Sequence, residues 1–230
     1  MSEQRDKNLW IFNAGNSFAG NPKWMFEYII RHHKEIKPVW MCYNADTMNY
    51  VHKLGYEAEL YHSSKGKSVM AKAGVYVVEM CKEVFQPELS GITVLNLWHG
   101  VGCKSIERKV TDGFLQERIA KKYIQNNDIL RNNQLFLVTS EIMEKHFKEQ
   151  CGIDDDKVIR AGYPRCVVND NIQSYDHDIR KKKGLSANTK LAIYCPTYRD
   201  NNGANFMKSA LPDMKRLAEV LHENNILLIL

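Results

Sequence analysis

Three short segments carry residue types suited to proton transfer and to binding an anionic ligand: Asn96–Lys104 (NLWHGVGCK), Ala161–Arg165 (AGYPR) and Tyr194–Asp200 (YCPTYRD). His99 is the candidate proton acceptor. An imidazole with an ordinary pKa of about 6.5 takes up a proton near neutrality. Gly100 and Gly102 leave room beside it for a substrate. The competing reading is a structural histidine bonded to backbone. Gly and Pro in these segments allow a ligand to approach the main chain, and Lys104, Arg165 and Arg199 offer positive charge to phosphate oxygens. No metal site is expected: His32 and His33 are adjacent and point apart on a helix, and His99 with Cys103 lacks further ligands at useful spacing.

Each segment must be placed by the element before it. Short apolar runs alternate with longer amphipathic stretches, the pattern of an α/β protein with a mainly parallel sheet. Strands are expected at Asn8–Asn13, Val39–Tyr43, Glu57–Tyr61, Val75–Met80, Thr93–Leu97, Leu135–Val138, Lys157–Arg160, Leu191–Cys195 and Ile226–Leu230. Helices are expected at Pro22–His33, Asp46–Leu54, Lys65–Ala73, Asp112–Leu130, Glu141–Gln150 and Leu211–Glu223, with Thr139–Ser140 as a cap. The three segments thus follow strands, at the sheet edge where open α/β folds bind ligands.

The loop Ala14–Asn21 also follows a strand, and Asn21–Pro22 reads as a helix cap with proline in the first helical position. It has Gly15 and Gly20 but not the G-x-G-x-x-G spacing, so it is read as shaping an acceptor pocket through Asn16, Ser17 and Asn21, not as a dinucleotide site. Walker, G-x-S-x-G and protein-kinase motifs are absent from the sequence.

The composition, 44% hydrophobic and 26% charged over 230 residues, is that of a chain that buries a core, which excludes collagen-like and disordered classes. The formal net charge is +5, and residues 101–190 hold 17 basic against 13 acidic side chains. That surplus suits an anionic ligand or acidic lipid surface and is too mild to indicate nucleic acid. Its densest run, Arg180–Lys183, reads as a solvated linker or helix end. Six cysteines without a C-x-x-C pair, behind a start (MSEQRDKNLW) unlike a signal peptide, point to reduced thiols in the cytoplasm. No apolar stretch approaches the roughly 20 residues of a membrane span.

Taken in order, Trp98-His99-Gly100 with Lys104, then Thr139–Glu141 (TSE), Gly162–Arg165 (GYPR) and Tyr194–Asp200 resemble the CDP-glycerol glycerophosphotransferase family. Its members build poly(glycerol-phosphate) or poly(ribitol-phosphate) chains of teichoic acids, and relatives build capsule polymers. The resemblance runs from about Leu9 to the end of the chain. It implies a GT-B-like architecture, with a Rossmann-like acceptor domain facing a Rossmann-like donor domain. It further implies attack of an acceptor's terminal hydroxyl on the glycerol-side phosphorus of CDP-glycerol or CDP-ribitol, with release of CMP and no other cofactor.

Carried over by residue, His99 matches the family's proposed general base, and Thr197 and Arg199 match the loop near the donor phosphates. Gly100 belongs to the expected phosphate-binding set, Lys104 and Arg199 then supply cations to the charged oxygens, and Arg165 either joins them or stabilises its own loop. Two departures are visible: Cys166 and Val167 stand where the family continues with a polar residue and an aspartate, and the family's second histidine, in an H-P motif just past a strand like Ile226–Leu230, is expected beyond Leu230.

The polar stretch Asp170–Thr189 sets the expected domain boundary, giving 1–185 as the acceptor-side domain and 186–230 as the truncated start of the donor domain. On that expectation the 230 residues alone turn over donor poorly. The acceptor is expected to be a polyol-phosphate or glycan polymer, of a lipid-linked kind if the protein works at the inner membrane face. Asp112–Leu130 suits a soluble surface helix and a membrane-surface helix equally. Oligomeric state and alditol identity stay open, as do two alternatives: a non-catalytic acceptor-binding fragment, and a glycosyltransferase of the same architecture using a nucleotide sugar.

Overall fold

The computed structural model describes residues 5–80, 87–102, 104–110, 116–117, 134–166, 178–196 and 205–229. Contacts divide the chain into two units, Met1–Asp170 and Asn171–Leu230, a division that falls at the start of the polar stretch Asp170–Thr189.

The first unit is built on seven parallel strands: β1 (Asp6–Phe12), β2 (Lys37–Cys42), β3 (Ala58–Leu60), β4 (Ala73–Val78), β5 (Thr93–Asn96), β6 (Gln134–Val138) and β7 (Val158–Arg160). Their order is β3-β2-β1-β4-β5-β6-β7, so strand progression reverses between β1 and β4. That reversal opens a crevice at the carboxyl ends of the strands, the usual ligand position of doubly wound sheets.

Strand periodicity explains the two cores. Phe12, Trp40, Val77, Leu97 and Phe136 pack with Phe26 and Ile29 of helix α1 (Gly20–His32), Val51 of α2 (Ala45–Lys53) and Met143 and Phe147 of α4 (Glu141–Cys151). The alternate residues Ile11, Met41, Tyr76 and Val94 pack with Met70 of α3 (Ser64–Lys72) in a second cluster. Both faces are covered, as parallel sheets require.

Three helix starts are locally capped. Asn44 accepts the Thr47 N–H at 2.8 Å, Ser63 the Gly66 N–H at 2.9 Å and Ser140 the Met143 N–H at 3.3 Å. Helix α1 differs from expectation. It begins at Gly20 behind Ala19, which makes no side-chain cap, so Pro22 is the third helical residue. Proline is tolerated there because the first-turn N–H groups have no intrahelical acceptor. Below the sheet, Arg5 donates to the carbonyls of Met70, Ala73, Glu88 and Ser90, tying the start of β1 to its neighbours.

In the second unit, β8 (Lys190–Ile193) and β9 (Ile226–Ile229) pair in parallel, and helix Met214–Glu223 returns the chain between them. Asp213 caps that helix by accepting the Arg216 N–H at 2.8 Å. The basic run Arg180–Lys183 sits in a five-residue helix, Ile179–Lys183, that Asp178 caps and Gly184 ends. The expected helix Asp112–Leu130 lies outside the described residues apart from 116–117, which are helical. Among the described residues no helix is long and apolar enough to cross a membrane.

Candidate active site

Strand β5 ends at Asn96, whose side chain makes the turn that follows. Its Oδ1 accepts the Trp98 N–H at 2.9 Å, and its amide donates to Gln134 at 3.0 Å. Trp98 adopts φ 51°, a left-handed conformation that costs a bulky residue about 1–3 kcal/mol and is kept only where the surroundings enforce it. Burial of the indole, 7% exposed, against Phe136 and Phe147 supplies part of that enforcement. The sharp turn sends the next residue, His99, outward.

The His99 ring stacks on Trp98 with centroids 4.4 Å apart, and its Nδ1 lies 2.8 Å from the main-chain oxygen of Glu79, just past β4. A carbonyl can only accept, so Nδ1 carries a proton, and in the neutral form of the ring the lone pair lies on Nε2. The end of a strand thus selects the tautomer.

Glu79 has a second function. Its carboxylate accepts the Asn21 N–H at 3.0 Å and occupies the N-terminus of α1, where Gly20 stands at φ 68°. The helix end that would otherwise attract a phosphate is filled by an internal anion. Glu79 thereby supplies the cap expected of Asn21. A charged residue closing the apolar run AGVYVVEM was the available signal.

Asn21 itself is fully buried. Its amide donates to the Trp98 carbonyl at 2.7 Å, and its Oδ1 accepts the Arg165 N–H at 3.3 Å. Tyr163 adds a parallel tie, donating its hydroxyl to the Gly100 carbonyl at 2.7 Å, while burial pushes its phenol pKa up. The exposed Arg165 guanidinium lies 5.7 Å from the Tyr163 ring centroid and beside Gly100, 3.4 Å from where a Cβ on Gly100 would stand. Gly102 is constrained far more tightly than Gly100, since a Cβ there would meet the His146 ring at 2.5 Å.

The structure therefore gathers His99, Gly100, Asn21 and Arg165 at one sheet edge. Lys104 is exposed on the same loop as His99. Asn16 and Ser17 occupy the exposed tip of the β1–α1 loop, where the Thr47 hydroxyl donates to the Asn16 carbonyl at 2.7 Å. Behind the tip, Asn13, Ala14 and Gly15 face Val78, Glu79 and Met80 across the crevice at the strand reversal. Thr197 and Arg199 lie outside the described residues, as does Cys103. Among the described residues no cluster of three metal-binding side chains occurs.

A family model described as CDP-Glycerol:Poly(glycerophosphate) glycerophosphotransferase matches residues 1–230. The chain belongs to that family. Among its relatives, a teichoic acid poly(glycerol phosphate) polymerase of Bacillus subtilis (strain 168) is 25% identical over 201 residues, which are 81% of this chain and 25% of the relative. A polymerase of the same description from Bacillus spizizenii is 21% identical over 214 residues, 86% of this chain and 52% of the relative.

The solved structure of the wall teichoic acid polymerase TagF superposes with a TM-score of 0.71 at 19% identity, over 97% of this chain and 56% of that one. A histidine-to-alanine variant of TagF gives 0.75 at 21% identity, over the same shares of the two chains. At such identities the likeness is one of fold, and it agrees with the GT-B-like class expected from the motifs. The chain spans about a quarter of the Bacillus subtilis polymerase and about half of the Bacillus spizizenii one.

Proposed function

We propose that this protein serves the transfer of glycerol-phosphate or ribitol-phosphate from a CDP-alditol to the terminal hydroxyl of a teichoic-acid-like or capsule polymer, with His99 as general base. The observation that carries the reading is the 2.8 Å contact from His99 Nδ1 to the Glu79 carbonyl, which leaves Nε2 basic on an exposed ring. The acceptor hydroxyl gives its proton to Nε2 as its oxygen bonds to the alditol-side phosphorus. The bond from that phosphorus to the bridging oxygen breaks, and CMP leaves with the electron pair.

An alcohol is scarcely ionised in water, so an aimed base contributes about 10² to 10⁴ in rate. The remaining acceleration in phosphoryl transfer comes from positioning and from cations around the charged oxygens. Arg165, beside Gly100, is suited to that second task, with Lys104 of the His99 loop as a further donor to the phosphates. No cofactor or metal enters the scheme. The reading places the protein in the cytoplasm at the inner membrane face, where a net charge of +5 favours an anionic surface presenting a lipid-linked acceptor.

The test is incubation of purified protein carrying this chain with CDP-glycerol or CDP-ribitol and a phosphopolyol primer, following CMP. Primer-dependent CMP from one donor is expected. No CMP from either donor, alongside turnover of a nucleotide sugar, would replace this reading with glycosyl transfer.

A further inference from the structure

We infer that Asn21 is the positioning residue that sets where His99 stands relative to Arg165, an inference resting on the reading of those two residues as base and phosphate cation. Three loops meet on this one side chain and its own amide. The carboxamide NH₂ holds the Trp98 carbonyl at 2.7 Å, one residue before the base. The carboxamide oxygen holds the Arg165 N–H at 3.3 Å, at the residue whose guanidinium lies beside Gly100. The Asn21 main-chain N–H holds the Glu79 carboxylate at 3.0 Å, and the carbonyl of that same Glu79 orients the His99 ring at 2.8 Å.

The chemistry of the position requires asparagine. The Trp98 carbonyl needs a donor and the Arg165 N–H needs an acceptor, and the Asn21 side chain that meets both is itself fully buried. Aspartate has the same shape but turns an oxygen towards the Trp98 carbonyl. Serine is too short to bridge the two loops. Trp98 sits in the left-handed region, so once its carbonyl is released the turn has reason to relax, and His99 rotates away from Glu79 with it.

The decisive measurement is the His99 tautomer, read by nitrogen NMR on histidine-labelled protein. The unmodified protein is expected to hold His99 as the Nδ1–H form, with the Asn21 side-chain protons exchanging slowly with solvent. Asn21→Asp and the uncharged Asn21→Ser are expected to mix the two tautomers and to lower kcat for CMP release about 10- to 100-fold. The donor KM should stay within about 2-fold, the pattern of a misplaced reacting group. An unchanged tautomer and kcat in either variant overturns the inference, as does fast exchange of the Asn21 amide in the unmodified protein. The NMR readings need no turnover, so a failure of the CMP assay strikes the proposed function and leaves the clamp to be judged separately.

Discussion

The imidazole of His99 is oriented by the main-chain carbonyl of Glu79, 2.8 Å from Nδ1, so the end of one strand sets the tautomer of a residue that follows the next. Replacing His99 with alanine removes an exposed ring and one hydrogen bond, and is expected to cost no more than about 1 kcal/mol of stability. CMP release should fall about 10² to 10⁴-fold. Full activity in His99→Ala would remove the base from the mechanism.

Arg165 offers a test of how charge is presented. Lysine keeps the charge but loses the planar fork that matches phosphate oxygens. Arg165→Lys is expected to raise the donor KM by about 10-fold, and Arg165→Ala by more, in steady-state assays. Equal kinetics for all three side chains would assign the guanidinium to loop stability alone.

Gly20 and Gly55 separate two costs of adding a methyl group. Both have positive φ, 68° and 79°, but a Cβ on Gly20 would stand 2.0 Å from the Glu79 carboxylate, whereas one on Gly55 meets nothing within 4 Å. Gly55→Ala should therefore lose only the backbone term, about 1–2 kcal/mol. Gly20→Ala should lose about 1 kcal/mol more, because the carboxylate must leave the first turn of α1. Urea unfolding of the two variants compares them directly.

Acid stability should depend on Glu144. Lys148 at 2.5 Å and Arg160, through two contacts of 2.7 Å, hold its carboxyl below the ordinary value of 4.5. A lowered folded-state value means that the stabilisation is complete above the unfolded value and is lost as pH falls through the folded one. Glu144→Gln should be less stable at neutral pH, and its stability should decline less steeply below about pH 4.5. Parallel slopes for the two proteins in denaturant titrations would contradict this.

Thiol labelling should sort the described cysteines by burial. Desolvation, assisted by Glu59, pushes the Cys42 thiol up to about 11, and Cys151 is also buried, whereas Cys166 and Cys195 are exposed. Brief alkylation near neutral pH should modify Cys166 and Cys195 and spare Cys42 and Cys151 until denaturant is added. Peptide mass spectrometry gives the order.

Much of the scaffold was legible because it is written in local periodicity. The alternation of Ile11 with Phe12, and of Tyr76 with Val77, divides each strand between two cores, and Ser140 stands where a capping residue was expected. The WHG and GYPR segments were recognisable for the same reason, as short motifs placed directly after strands.

The start of α1 was not legible in that way. Asn21–Pro22 has the local signature of a cap, yet the capping group is the Glu79 carboxylate, 58 positions away, and the Asn21 side chain is bonded instead to Trp98 and, 144 positions away, to Arg165. The sequence by itself determined the α/β order, the family motifs and the choice of His99 as the candidate proton acceptor, since these depend on residue type and short spacing. Only the tertiary structure decided which nitrogen of His99 meets the Glu79 carbonyl and which side chain joins the Trp98 turn to the Arg165 loop. Those relationships are hydrogen bonds between residues that meet only after parallel strands bring their carboxyl ends to one edge.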